Sequence, residues 1–215
     1  MESVEKKIIN KLNYLKRDPK KGFSINVYDE KSSVLSYLKP IQYDFDHGIV
    51  SLLSKWRKEN PSISTSSFKI THERTKNWLN NFVLNRKDRI IFMIYNLKNN
   101  PMGHIGLSNF DFDKNIAELD SVLRGVKDIL PGLMFFCVKA IIDFGFGYLK
   151  LSGIQLSVLS DNKRAIDFYK RLNFSEIHRI PLVKLITKDE TRYESKTKYP
   201  DLPIEKYYIK MKYLK

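Results

Sequence analysis

The sequence predicts an α+β fold, a single domain built on a central mixed, mostly antiparallel sheet flanked by helices. Three observations lead there. After two helical patterns near the start, the apolar periodicity runs strand, strand, strand, helix, strand, helix, strand, strand. The fourth strand follows the third through a helical crossover, so that pair is expected to be parallel, whereas short turns join the first three into an antiparallel meander. A length of 215 residues suffices for one sizeable core and makes two complete domains an uneconomical reading.

Composition narrows the class. With 42% hydrophobic and 29% charged residues the chain reads as a soluble globular protein, and no window approaches the ~18 consecutive apolar residues of a membrane span. The first eighteen residues are charged throughout and lack the apolar core of a secretory signal, which points to a cytoplasmic protein. The single cysteine, Cys137, sits in an apolar helical pattern; it excludes an internal disulfide and a thiolate zinc site, and a buried, inert thiol is expected. A net charge of +14 suits a surface for polyanions, an attraction for small phosphate-bearing ligands, or lysines spread over a solvated surface. No run of five or six consecutive basic residues marks a nucleic-acid patch.

Residues 1–40 read as an accessory extension and residues 41–215 as the domain. In the extension, Ile8, Leu12 and Leu15 stand at helical spacing, and a short alternating strand follows residue 22. A subunit contact, as in a homodimer, or cover for an edge strand are the tasks open to it. Residues 41–46 then alternate as a strand. Ile49, Leu52, Leu53 and Trp56 form a helical stripe that Pro61 ends, and a second helix after Thr71 carries Trp78, Leu79, Phe82 and Val83. The run from Arg89 to Leu97 is too short and too β-branched for a helix, so it is a buried strand, and two alternating strands follow it.

The long helix is expected from Pro131, at its first position, to about Tyr148, with Leu133, Phe136, Cys137, Ala140, Ile141 and Phe144 on one wide face. A strand follows, and then a short helix capped within Ser160-Asp161-Asn162, presenting Ala165, Ile166, Tyr169 and Leu172 on one face. Asn173 is suited to the left-handed conformation that ends a helix, and Phe174 re-enters the core. A strand with an internal Pro181 is an edge or has a break there, residues 189–203 form a long loop, and residues 205–213 make the last strand.

The segment Asn162-x-x-Ala165-x-x-x-Tyr169-x-x-x-Asn173-Phe174 resembles the asparagine-tyrosine helix of the GNAT superfamily of acyl-CoA-dependent N-acyltransferases, with Asn173 where that pattern has glycine. The resemblance covers residues 41 to 174 and implies a GNAT-like domain using acetyl-CoA. The family's phosphate-binding motif at the start of the long helix is degraded: Gly132 aligns with its first glycine, Met134 with its second small residue, and Ile129 with its basic or amide position. Backbone N–H groups at a helix N-terminus hold the pyrophosphate in that family, and Leu130, Gly132, Leu133 and Met134 are the residues this implies, with Lys127 or Arg124 supplying charge.

The resemblance also implies direct transfer from the thioester to an amine. The reacting carbonyl is then expected near Ser121, Val122 and Leu123, whose backbone donors would polarise it; Asn162 and Ala165 would meet the cofactor arm, and Tyr169 would be the general acid for the departing thiolate. Tyr169 also reads as a packed tyrosine on a helix face. Glu118 and Asp120 lie two apart, hence on one face of a strand, and either is a candidate general base or part of a solvated surface. Glu73 is a weaker candidate.

Arg57, His72 and Trp78 on the early helices could line an acceptor pocket, although core burial is the better reading for the tryptophans, and His104 reads as structural or pocket-lining. No partner stands at metal-ligand spacing from His104, so no metal is expected. For the acceptor, the expectation is a small-molecule amine, an amino sugar on a nucleotide carrier, because Trp56-Arg57, His72, Trp78 and the Val122–Gly125 stretch look similar to family members of surface-polysaccharide pathways. The alternatives are another small amine or a protein amine, and a non-enzymatic basic module. Nucleic acid is not expected as a partner.

Overall fold

The computed structural model describes residues 2–18, 22–61, 66–127 and 130–215. In chain order the elements are α1 (Val4–Arg17), β1 (Ile25–Tyr28), β2 (Val34–Pro40), α2 (His47–Glu59), β3 (Ser66–Phe68) and α3 (His72–Leu79), which continues as a π turn over Asn80–Leu84. Next come β4 (Arg89–Asn96), β5 (Pro101–Asp111), β6 (Ile116–Arg124) and α4 (Leu133–Phe144), again extended by a π turn, Gly145–Leu149. The chain then forms β7 (Gly153–Leu159), α5 (Lys163–Arg171), β8 (Phe174–Ile186), β9 (Glu190–Ser195), a 3-10 turn over Lys196–Lys198, and β10 (Lys206–Tyr213). Strands and helices are thus arranged in the α+β class that the patterning predicts. The residues fall into two compact units, 1–46 with 77–154 and 47–76 with 155–215. Among the described residues no helix is long and apolar enough to cross a membrane.

In the first unit the strand order is β1-β2-β4-β5-β6, antiparallel throughout. Helix α4 packs against β1, β2 and β5, using the face its spacing predicts: Leu133, Cys137, Ala140, Ile141 and Phe144 are buried. Each large side chain on that face contributes about 2 kcal/mol through burial, and Ile141→Ala would cost about 2–5 kcal/mol because a cavity would remain. Burial pushes the Cys137 thiol up to about 12, so it is inert at neutral pH.

Helix α1 starts at Ser3, whose hydroxyl accepts the Lys6 N–H (3.2 Å). It buries Ile8, Leu12 and Leu15. Beside them Lys16 is fully buried, and its Nζ donates to the carbonyls of Leu84 (3.1 Å) and Arg86 (2.5 Å). The first of these is the last residue of the π turn after α3, so the ammonium caps carbonyls left over at a helix end. The Tyr43 hydroxyl donates to the same Leu84 carbonyl (2.8 Å).

In the second unit the order is β7-β10-β8-β9-β3, with every described pair antiparallel. Here α2 buries Leu53 and Trp56, and α5 packs on β8, where Leu172 and Phe174 are buried at its end.

Several local expectations change. Residues 41–46 are not a strand: the Ile41 N–H still bonds the Ile91 carbonyl, but Phe45 N–H folds back on Gln42, so the strand is the preceding stretch, β2. Pro131 is not the first helical residue. Leu133 N–H bonds the Leu130 carbonyl (3.0 Å) and Gly132 has φ +80°, which makes Leu130–Leu133 a type II turn with proline and glycine at the positions that turn prefers, and Gly132 becomes the N-cap. Residues 189–203 contain β9, whose half-exposed polar residues show no apolar alternation. Strand β8 runs unbroken through Pro181, which faces Tyr207 and immediately precedes the β9 ladder, an edge position where a missing donor is tolerated.

Burial lowers the Lys16 pKa from 10.5 to about 8. The unfolded chain therefore holds more protons between these values, so the Lys16 contribution to stability is lowest below pH 8, rises with pH through that window and is complete above 10.5. Urea unfolding of wild type and Lys16→Met should show their stability difference moving in favour of the wild type by about 1–3 kcal/mol as pH rises across the window; a pH-independent difference would refute the buried ammonium.

Candidate active site

The first unit contributes a distorted strand. His104 pairs with Leu123 and Gly106 with Asp120, so Ser121 and Val122 together oppose the single residue Ile105. This is a β-bulge, and its first residue, Ser121, has φ +53°. A non-glycine residue rarely holds that conformation unless its surroundings fix it. All three polar groups of Ser121 are engaged. Its N–H donates to Asp120 Oδ1 (2.6 Å), its hydroxyl accepts from Arg89 Nη2 (3.1 Å), and its carbonyl meets His104 Nδ1 (2.6 Å). A carbonyl only accepts, so Nδ1 of His104 carries the proton.

Arg89 Nη2 also donates to Asp120 Oδ2 (2.5 Å), and the guanidinium lies over the Trp78 ring, 5.7 Å from its centroid. Both Asp120 oxygens are therefore occupied. Glu118 accepts from Asn109 Nδ2 (2.8 Å), where β5 has a bulge of its own and Asn109 has φ +49°. Gly103 permits the close crossing of β5 and β6: a Cβ there would lie 2.2 Å from the Leu123 carbonyl oxygen.

The start of α4 is a plain helix terminus. Phe135 and Phe136 N–H turn back onto the Gly132 carbonyl (2.8 and 3.4 Å), and no acidic residue occupies the first turn. Leu133 is buried, Met134 is half-buried, and Leu130 and Lys127 are exposed. Ile129 lies outside the described residues.

In the second unit, Asn162 caps α5, its Oδ1 accepting the Ala165 N–H (3.1 Å). Tyr169 is half-buried on the same helix and meets Phe174 edge-on, with ring centroids 5.8 Å apart. Asn173 has φ +64°, the left-handed geometry expected of it, and its side chain donates to the Leu214 carbonyl. The residue before the cap, Asp161, is gripped by Lys206 (2.6 Å), whose ammonium lies over the Tyr193 ring at 4.2 Å.

Of the expected acceptor residues, Trp78 is half-buried beneath Arg89 and His104 is buried against Ser121, both in the first unit. Arg57 and His72 are in the second. The guanidinium groups of Arg57 and Arg74 each lie 5.4 Å from the Phe68 ring, and His72 stacks on His47 at 5.9 Å. The sequence reading missed Arg89, Asn109 and Lys206. An arginine opening an otherwise apolar strand was the available signal for Arg89, since a half-buried guanidinium needs a carboxylate; Lys206 gave none.

The family model described as acetyltransferase (GNAT) domain matches residues 37–175, and the chain belongs to that family. It is an acetyl-CoA-dependent N-acetyltransferase with a GNAT-like fold, α1 preceding the matched range. No curated protein matches it significantly. Among solved structures, a chimaera of spermidine N-acetyltransferase SpeG from Vibrio cholerae and hSSAT shares 16% identity, with 82% of this chain and 94% of that one covered and a TM-score of 0.59. The Vibrio cholerae spermidine N-acetyltransferase in complex with CoA and spermine shares 15%, covering 78% and 90%, with a TM-score of 0.55. A dodecameric structure of that enzyme shares 16%, covering 76% and 95%, with a TM-score of 0.54. At these identities the likeness is one of fold.

Gly103→Ala should lower stability by about 1–3 kcal/mol, because backbone must move to admit the methyl group; chemical denaturation measures it, and an unchanged midpoint would show that the β5–β6 crossing is looser than its geometry implies.

Proposed function

We propose that the protein acetylates the primary amine of a small molecule. The supporting observation is the likeness of fold to the spermidine N-acetyltransferases described above, one of them in complex with CoA and spermine. In this reading the cofactor supplies the activated acetyl group and the chain supplies position and protons. Backbone donors at Val122 and Leu123 polarise the thioester carbonyl, the Ser121 N–H being taken by Asp120 so that Ser121 lines the site without donating to it, and the start of α4, from Leu130 through Gly132, Leu133 and Met134, holds the phosphates with Lys127 nearby in sequence. That helix end suits an anion because no carboxylate stands in its first turn and because a Cβ at Gly132 would meet nothing closer than Phe136, at 3.7 Å.

Asn162 keeps its Nδ2 as a donor for the cofactor arm, beside Ala165. A C–N bond forms as the C–S bond breaks; Glu118 takes the amine proton, directly or through water, and Tyr169 protonates the leaving sulfur. Asp120, with both oxygens occupied, is left to position its neighbours. A cytoplasmic setting supplies acetyl-CoA, and self-association of the chain fits the oligomeric relative.

A second reading narrows the acceptor. Polyamines are cationic, yet α2, β3 and α3 place Arg57 and Arg74 over the Phe68 ring and stack His47 on His72. Such a surface favours an amine that also carries negative charge, and an amino sugar on a nucleotide carrier fits it.

Tyr169→Phe should reduce kcat by about 100-fold with little change in acetyl-CoA affinity. A thiol-release assay across spermidine, aminoglycosides, nucleotide-linked amino sugars and peptides decides the acceptor. Release with small amines supports the proposal, preference for the nucleotide-linked amine supports the narrower reading, and release with peptides alone overturns both.

A further inference from the structure

The contacts around Ser121 do more than decorate a bulge. Left-handed backbone is unfavourable at a serine, and nothing in the residue type selects it. The conformation is imposed from three directions: the Asp120 carboxylate on the N–H, the Arg89 guanidinium on the hydroxyl, and the His104 ring on the carbonyl. These groups are themselves fixed. Arg89 is salt-bridged to Asp120, stacked on Trp78 and bonded to the Phe82 carbonyl (3.3 Å), while His104 is 6% exposed. Arg89 begins β4 and His104 lies on β5, so two neighbouring strands determine the shape of the third.

We propose that Arg89, Asp120 and His104 form a clamp that holds Ser121 left-handed and thereby aims the N–H groups that follow it, those of Val122 and Leu123, at the acyl carbonyl; they are positioning residues for the transfer reaction. The inference rests on the proposal that this bulge polarises the thioester. Rotating Ser121 out of the left-handed region would redirect the peptide planes on either side of it. The clamp therefore acts on carbonyl polarisation and not on the grip on coenzyme A, which lies with the start of α4. It also assigns His104 and Asp120 different tasks from acceptor binding and proton abstraction.

Isotope-edited infrared spectroscopy on acetyl-CoA labelled with ¹³C at the carbonyl reads the effect without an acceptor. Calorimetry on the wild type comes first: no acetyl-CoA binding would remove the functional reading itself, and the clamp with it. Given binding, the wild type should lower the carbonyl stretch relative to free acetyl-CoA. Arg89→Met and His104→Phe should lose about half or more of that shift while acetyl-CoA affinity changes less than about threefold. His104→Asn, which places an amide donor where Nδ1 stands, should retain the shift.

Ser121→Gly in the Arg89→Met background guards against misfolding as an explanation, because glycine adopts φ +53° without help. Recovery of the shift in that double variant supports the clamp. Equal shifts in wild type, Arg89→Met and His104→Phe would overturn it, as would loss in His104→Asn equal to that in His104→Phe or no recovery with Ser121→Gly.

Discussion

The first unit depends on one unfavourable residue conformation. Ser121 is left-handed where β-strand geometry would keep an L-residue extended, and the cost is offset by hydrogen bonds to three side chains drawn from β4, β5 and β6 itself. Those bonds need a close crossing, which Gly103 allows by leaving room for the Leu123 carbonyl. They also need a charge pair at the strand start. The Arg89–Asp120 pair is half-buried, and removing either partner would leave the other without its counter-charge in a partly desolvated site.

Helix ends do the rest of the work in both units. The Leu130–Leu133 turn hands α4 its first amides with glycine as the cap, and Asn162 does the same for α5 through its side chain. The two caps differ in kind. Gly132 offers open space, which suits close approach of a bulky anion, whereas Asn162 offers a side-chain amide with one group satisfied and one available. Asp161, immediately before that cap, is anchored through Lys206 to the Tyr193 ring on β9, which gives a structural role to a segment that composition alone marks as a loop.

Much of the fold was legible because periodicity and capping chemistry are local. The apolar spacing along residues 133–144, the alternation at the start of β6, the asparagine cap at residue 162 and the left-handed Asn173 all follow from side chains within a few positions of one another, whereas β5, read as alternating, is buried without a break from Met102 to Ser108. What escaped is non-local. Strand β9 is polar because it is half-exposed throughout, so no alternation marks it. Residues 41–46 alternate but turn: the Ile41 N–H still reaches the Ile91 carbonyl, after which the Phe45 N–H bonds back to Gln42. Pro131-Gly132 satisfies the rule for a helix start and that for a type II turn alike, and the Leu130–Leu133 hydrogen bond decides between them. Ser121 carried no sign of its conformation. Two of the side chains that hydrogen-bond it, those of Arg89 and His104, lie thirty-two and seventeen residues away.

In the proposed reading the β6 bulge and the opening of α4 receive acetyl-CoA. Hydrogen–deuterium exchange of the protein with and without acetyl-CoA tests it most directly, since backbone amides are the proposed contacts. Slowed exchange in peptides spanning residues 119–126 and 130–137 is the predicted result. Exchange unchanged in both segments at saturating acetyl-CoA, with protection confined to other parts of the chain, would contradict it.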